Sequence, residues 1–157
     1  MMLKNNTRVL VICLTAAVIA SSASELPPQC NAYLILADAT RNVNHGFEYN
    51  GDHYNDWCDY RTSPDWQGSN NWYRMMPPAG VVIPETPIGL EHCGTGLPGW
   101  IQGSHPANEG EQVTVKVCFR PDCPLSRNIQ ITNCGGYYVY LLPDVDCGCR
   151  YCAAWTF

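Results

Sequence analysis

Cysteine content is the feature that most constrains how this chain of 157 residues can fold. Ten cysteines are present, and one of them, Cys13, lies in a hydrophobic N-terminal stretch. The other nine predict an exported domain held together by disulfides, because cysteines normally oxidise outside the cell. Their odd number also predicts either a free thiol or a bond to a second chain.

Residues 1–24 have the features of a secretory signal peptide. Basic residues precede an apolar stretch from Val9 to Ala20, and small residues suited to cleavage follow it. The stretch is shorter than the roughly 20 residues of a transmembrane helix. We therefore expect cleavage after Ala23 or Ser24, which would leave a secreted, extracellular protein with a single domain over residues 25–157 and no membrane span.

Charge narrows the class of partner. The nine basic residues would fall to seven with the loss of Lys4 and Arg8, against fourteen acidic residues. Nucleic-acid binding requires a basic surface, and attraction to anionic lipids requires clustered lysine and arginine. We therefore exclude both and expect the partner to be an extracellular protein or a glycan.

Alternating apolar residues predict strands in the C-terminal half. Residues Val113 to Phe119 alternate with a period of two, as expected of a half-buried strand. Ile129 and Ile131 repeat the pattern, and Tyr137 to Leu142 is an aromatic run that favours β-structure. Gly135-Gly136, between the last two segments, predicts a turn or a bulge.

The N-terminal half gives weaker signals. Asn71 to Met75 predicts a strand, whereas Asn31 to Ala39 fits either a short strand or a helical turn. The polar stretch from Arg41 to Asn71 predicts a long loop with Cys58 pinning its middle, and Pro84 to Pro106 is rich in turn-forming residues. We expect a small, disulfide-rich, β-rich (α+β) domain with short antiparallel strands, long loops and few short helical turns.

Short motifs recur in one order along the chain and together resemble a known family. They are Cys30-Asn31-Ala32-Tyr33, Cys58-Asp59-Tyr60, Trp72-Tyr73-Arg74, Cys93-Gly94-Thr95, Pro98-Gly99-Trp100, Gly103-Ser104-His105-Pro106, Lys116-Val117-Cys118, Cys134-Gly135-Gly136-Tyr137-Tyr138-Val139-Tyr140 and Tyr151-Cys152. The set is similar to the cysteine-rich module of the uromodulin-like glycoproteins. The resemblance implies an extracellular module with eight cysteines.

The eight-cysteine form of the module implies four disulfides. Its cysteines in this chain are Cys30, Cys58, Cys93, Cys118, Cys123, Cys134, Cys147 and Cys152. The sequence does not determine which of them pair with each other. Cys149 is then the ninth cysteine, and we expect it to remain a free thiol, to compete with Cys147, or to link two chains into a dimer.

The sequence gives no pattern typical of an enzyme or a metal site. Cys149 and Cys152 have the spacing of metal ligands, but an exported pair is expected to oxidise. The four histidines are scattered, and no serine lies in a Gly-x-Ser-x-Gly elbow. A nucleophile needs an oriented base beside it. We therefore expect no catalytic residues, no cofactor and no metal.

Aromatic side chains suggest where a ligand could bind. Trp57, Tyr60 and Trp66 fall in the polar stretch from Arg41 to Asn71, where rings could stack on sugars and where loops on a crosslinked scaffold carry function. We expect a secreted binding or adhesion module with this recognition surface. The alternative is a structural part of an extracellular assembly, linked through Cys149.

Another group of aromatic residues is expected to fill the core instead. These are Trp72, Trp100, Tyr138 and Tyr140. They lie in or beside the motifs and the predicted strands, and buried aromatic rings dominate the energetics of a core. For Trp57 and Trp66 the core remains as good an interpretation as a binding surface.

Overall fold

The computed structural model describes residues 25–47, 57–60 and 62–156. It contains one seven-stranded sheet with the spatial order β1-β2-β6-β5-β4-β3-β7. The strands are β1 (Leu34–Leu36), β2 (Asn71–Met75), β3 (Leu97–Gln102), β4 (Gln112–Cys118), β5 (Ser126–Asn133), β6 (Tyr138–Leu142) and β7 (Cys149–Tyr151). The predicted signal peptide lies outside the described residues, as does the segment 48–56 of the predicted loop.

The β-rich, disulfide-bonded fold is confirmed, but its details differ from the prediction. The described residues contain two short 3-10 turns, Pro28–Cys30 and Ala39–Arg41, and no α-helix. The strands are three to eight residues long. The outermost pairs, β1 with β2 and β3 with β7, are parallel, while the four inner pairs are antiparallel. Parallel neighbours require a long connection between them, and such connections join the members of both outer pairs.

The centre of the sheet is the meander of β4, β5 and β6, which the alternating residues predict. Val115 lies opposite Ile129, and Ile131 lies opposite Tyr140. Ile129, Ile131 and Tyr140 are buried, while Lys116, the chain neighbour of Val115, is exposed. Since side chains alternate between the faces of a sheet, one face forms the core and the other faces solvent over most of the meander.

Gly135-Gly136 forms the turn between β5 and β6. Both glycines have positive φ, of 68° and 111°, and the backbone N–H of Cys134 donates to the carbonyl of Tyr137 at 2.8 Å. A two-residue hairpin turn with positive φ at both positions matches the twist of the strands it joins, and it favours glycine. The predicted turn is therefore confirmed.

Two strands, β3 and β7, are not predicted by the sequence pattern. β3 runs through Pro98 and Gly99, two residues that weaken a strand pattern, and β7 is only three residues long. A Cβ atom on Gly99 would come within 2.9 Å of the Arg150 carbonyl oxygen and of the Phe119 ring. Gly99 therefore allows β3 and β7 to pack closely, a tertiary requirement that conflicts with strand propensity.

The core covers the inner face of the sheet. Its fully buried members include Leu36, Tyr73, Ile101, Val117, Ile131, Tyr140, Leu142 and Tyr151. Of the four aromatic residues expected in the core, Trp100 and Tyr140 are buried, whereas Trp72 and Tyr138 are half-buried. Trp66 stacks on Tyr73 with ring centroids 4.8 Å apart, so the predicted loop supplies part of the cover over this face.

A buried ion pair holds the predicted loop against the sheet. Arg41 is fully buried, and its guanidinium donates two hydrogen bonds of 2.7 Å to the carboxylate of Asp59. It also donates to Asp65 at 2.6 Å and to the carbonyl of Tyr151 at 3.1 Å. Burial lowers the pKa of Arg41, but the charges and hydrogen bonds of the two carboxylates raise it further, and the net shift is upward.

Arg150 adds a second buried guanidinium to this cluster. It lies 3.3 Å from Asp38 and 3.8 Å from Asp65, and it donates to the hydroxyl of Thr40 at 2.7 Å. Burial and the nearby charge of Arg41 lower the pKa of Arg150 to about 10. Both guanidinium groups are balanced by carboxylates, which is the condition for keeping such charges inside a protein.

Replacing Arg41 by methionine should strongly destabilise the domain. The substitution keeps the side-chain length but leaves the buried Asp59 carboxylate without its counter-ion. We expect the free energy of unfolding to fall by about 3–5 kcal/mol, measured by urea titration with the disulfides intact.

Arg127→Gln is the matched control for Arg41→Met. Arg127 pairs with Asp146 at the surface, where the two side chains are 34% and 66% exposed. Loss of an exposed pair should cost below about 1 kcal/mol. Equal losses for the two variants would contradict the central role assigned to the Arg41 cluster.

Candidate functional site

Three disulfides form within the described residues. They join Cys30 to Cys134, Cys93 to Cys152, and Cys118 to Cys123. The first ties the N-terminal 3-10 turn to the hairpin after β5, and the second ties the loop before β3 to the end of β7. The third closes a short loop after β4. All six cysteines belong to the predicted set of eight.

The other two members of that set lie side by side. The sulfur atoms of Cys58 and Cys147 are 3.2 Å apart. Cys149 is also near, because the backbone N–H of Asp59 donates to the carbonyl of Cys149 at 3.2 Å. Cys149 is buried in β7, so a bond from its sulfur to a second chain would require β7 to leave the sheet.

His105 is the centre of a buried hydrogen-bond network. Its Nδ1 lies 2.6 Å from Glu85 and its Nε2 lies 2.9 Å from the hydroxyl of Tyr140, which also accepts from the backbone N–H of Ile83. The His105 side chain is 2% exposed and Tyr140 is fully buried. The network therefore locks the segment around Glu85 to β6 and offers no surface to a substrate.

The three aromatic residues predicted as a binding surface have different environments. Tyr60 is 42% exposed and lines a shallow depression with Asp144 and Asp146. Trp66 is half-buried, packs in the core, and donates its indole N–H to Asp144 at 3.1 Å. Trp57 is also half-buried, and its backbone N–H donates to the carbonyl of Gly94 at 3.1 Å.

A larger groove lies elsewhere, near the C-terminal segment. We call it the Trp155 groove. It has a volume of about 460 Å³ and is lined chiefly by Arg74, Met76, Pro77, Val81, Tyr137 and Trp155. Trp155 is 52% exposed, and Val81 is exposed as well. Its volume falls in the range of roughly 300–1,000 Å³ that is usual for small-molecule sites.

Close backbone pairing brings the two walls of the Trp155 groove together. The backbone N–H groups of Val81 and Val82 donate to the carbonyl of Ala154 at 2.8 and 3.2 Å, and the N–H of Ala154 donates to Val82 at 2.8 Å. Gly80 has φ of 138°, and a Cβ atom there would lie 2.6 Å from the Ala154 carbonyl oxygen. Glycine is thus required where the chain segments carrying Val81 and Trp155 meet.

Sequence reasoning does not reveal the Trp155 groove. Arg74 and Tyr137 belong to the ordered motifs, whereas Trp155 lies outside them. These residues are far apart in the chain, and neither periodicity nor spacing indicates that they meet. The exposed Tyr60 and the groove residues do not line the same depression.

Metal ligation and membrane insertion receive no support from the described part of the chain. No group of three or more histidine, cysteine, aspartate or glutamate side chains there could hold a metal ion. Among the same residues, no helix has the length and apolar character needed to span a membrane.

The fold and its crosslinks define a disulfide-bonded extracellular β-domain, and comparison with known proteins identifies its class. Residues 73–153 match the family of uromodulin-like cysteine-rich domains. The chain belongs to this family, as its motifs indicated, and the domain is extracellular.

Relatives of this chain include uromodulin and a pancreatic glycoprotein. Uromodulin of Mus musculus is 31% identical over 128 residues, which cover 78% of this chain and 18% of that protein. The pancreatic secretory granule membrane major glycoprotein GP2 of Mus musculus is 31% identical over 131 residues, covering 78% of this chain and 22% of the relative. The chain thus matches about a fifth of the length of these relatives.

Disulfide mapping of the secreted protein should recover a fourth bridge, between Cys58 and Cys147. Their sulfur atoms are already close, whereas Cys149 lies in the buried strand β7. Non-reducing proteolysis with mass spectrometry would identify the linked peptides. A peptide joining Cys58 to Cys149 would contradict this pairing and support competition between the two cysteines.

Acidification should weaken the fold through His105. Burial lowers the pKa of His105 below its ordinary value of 6.5, and this outweighs the opposite effect of Glu85. The unfolded chain therefore takes up the proton first, and stability falls as the pH drops through about 6.5.

Urea titrations at about pH 7.5 and pH 5.5 would measure this loss. The pKa of Glu85 is itself lowered, so that carboxylate stays charged across the interval. The wild-type protein should lose more stability than His105→Gln, whose side chain does not titrate. An equal loss in both proteins would remove His105 as the source of the pH dependence.

Proposed function

We propose that the domain is a non-catalytic extracellular binding or adhesion module that receives its ligand in the Trp155 groove. The observation that carries this proposal is the half-exposed indole of Trp155 beside the exposed Val81, at the lip of a groove large enough for a small ligand. Tryptophan is enriched among the residues that dominate binding energies.

The walls of the groove are held before any ligand arrives. Tyr137 ends the glycine turn next to the Cys30–Cys134 disulfide, and its hydroxyl donates to the carbonyl of Cys30. Trp155 follows Ala154, whose backbone pairs with Val82. A preorganised site loses little conformational entropy on binding, which supports a recognition role for this face.

The surface predicted from the sequence is the competing site for the same function. Tyr60 is exposed beside Asp144 and Asp146, but it stands without the two tryptophans that were expected to join it in a stacking platform. Linkage of an assembly through Cys149 is less favoured, because that residue is buried within the sheet.

Arrays of glycans and of extracellular proteins, probed with the secreted protein, would test the proposal. For any ligand retained, Trp155→Ala should lower the affinity at least about tenfold, since large losses follow truncation of a central tryptophan. Arg127→Gln, which alters only a surface ion pair, should leave the affinity unchanged.

Two outcomes would count against this assignment. Retention of no ligand on either array would oppose a binding function. A loss of affinity in Tyr60→Ala with none in Trp155→Ala would move the site to the surface predicted from the sequence.

A further inference from the structure

Among the described residues that line the Trp155 groove, one side chain is charged. Arg74 on β2 projects into the groove, and no carboxylate is found among these lining residues. The whole chain, in contrast, has a formal net charge of −5. The groove is thus a positively charged, largely apolar site on an acidic protein.

Two tyrosines fix the position of Arg74. The centre of its guanidinium lies 3.8 Å from the centroid of the Tyr137 ring, a distance typical of a cation–π contact. One of its nitrogen atoms donates to the hydroxyl of Tyr33 at 3.0 Å. A guanidinium has five N–H donors, so most of them remain available to a ligand.

Arg74 differs from the other arginines in the described part of the chain. Arg41, Arg120, Arg127 and Arg150 each lie within ion-pair distance of an aspartate. Arg74 forms no ion pair with any described residue. The fold therefore presents a fixed guanidinium at a groove without supplying a carboxylate to neutralise it.

Backbone groups around the groove are already paired, which limits the kind of ligand that fits. The N–H of Met76 donates to the carbonyl of Leu36 at 2.9 Å, and Val81 and Val82 pair with Ala154. A peptide that adds a strand needs unpaired backbone at a sheet edge. Recognition here falls instead to the Arg74 guanidinium and to the aromatic rings.

We propose that the groove binds a saccharide that carries a carboxylate group. This inference rests on the proposed binding function and names its ligand class. The carboxylate would pair with the fork of Arg74, whose planar geometry suits bidentate contact with a carboxylate. The apolar face of the sugar ring would stack on Trp155, the exposed ring at the lip of the groove.

Binding of three matched probes to the secreted protein would test this proposal. The probes are 3′-sialyllactose, its methyl ester, in which the charge is removed, and lactose. Changes in tryptophan fluorescence and in the NMR signal of the Trp155 indole N–H would report binding. We expect 3′-sialyllactose to bind at least about tenfold more tightly than the other two, as a charge-assisted pair provides.

Substitution of Arg74 should remove this preference selectively. Arg74→Gln is expected to bind 3′-sialyllactose as weakly as lactose, a loss of roughly tenfold. Arg127→Gln removes the same charge from a distant surface pair and should keep the full preference. An unchanged urea midpoint for Arg74→Gln would show that the variant is folded.

Three outcomes would overturn the inference. Equal binding of 3′-sialyllactose and lactose, with loss of both in Trp155→Ala, would exclude recognition of the carboxylate and leave the proposed function intact. Binding of an acidic peptide through Arg74, with no saccharide bound, would assign a different ligand class. Absence of any ligand on the arrays, with no change at Trp155, would remove the proposed function as well.

Discussion

The arrangement of this domain depends on the buried ion pair between Arg41 and Asp59. The pair lies where the 3-10 turn Ala39–Arg41, the segment 57–60 and strand β7 meet, and both partners also bond to the backbone of Tyr151. Neither charge could stay inside the protein without the other, because burial of a lone charge is strongly unfavourable. Three segments that are distant in sequence are therefore fixed together, and a polar stretch of chain becomes part of the cover over the core.

This neutralisation separates the scaffold of the molecule from its recognition face. Inside, the guanidinium groups of Arg41 and Arg150 are balanced by carboxylates, and disulfides close the loops around them. At the Trp155 groove, Arg74 is held by aromatic rings and stays accessible. A scaffold so constrained can leave an indole and a guanidinium at its surface, since neither is needed to hold the core together.

Much of the sheet could be predicted from the sequence, whereas the groove could not. Alternation predicts β4 and β5 because each has one face in the core and one in solvent, and the strand signal of β2 and β6 is local as well. β3 and β7 escape because Gly99 is selected by close packing between them and not by strand propensity. Likewise, the polar character of Arg41 and Asp59 predicts a solvated loop when each is considered alone, since only their contact makes burial favourable.

The sequence by itself determined the class of this protein. Its cysteines and ordered motifs indicate an extracellular, crosslinked module of the uromodulin-like family, and its alternating segments indicate a β-sheet. Only the tertiary structure decided which cysteines meet, which aromatic rings are buried, and that Arg74, Tyr137 and Trp155 line one groove. The physical reason is that covalent chemistry and periodicity are written locally, whereas burial and charge balance depend on partners that only folding brings into contact.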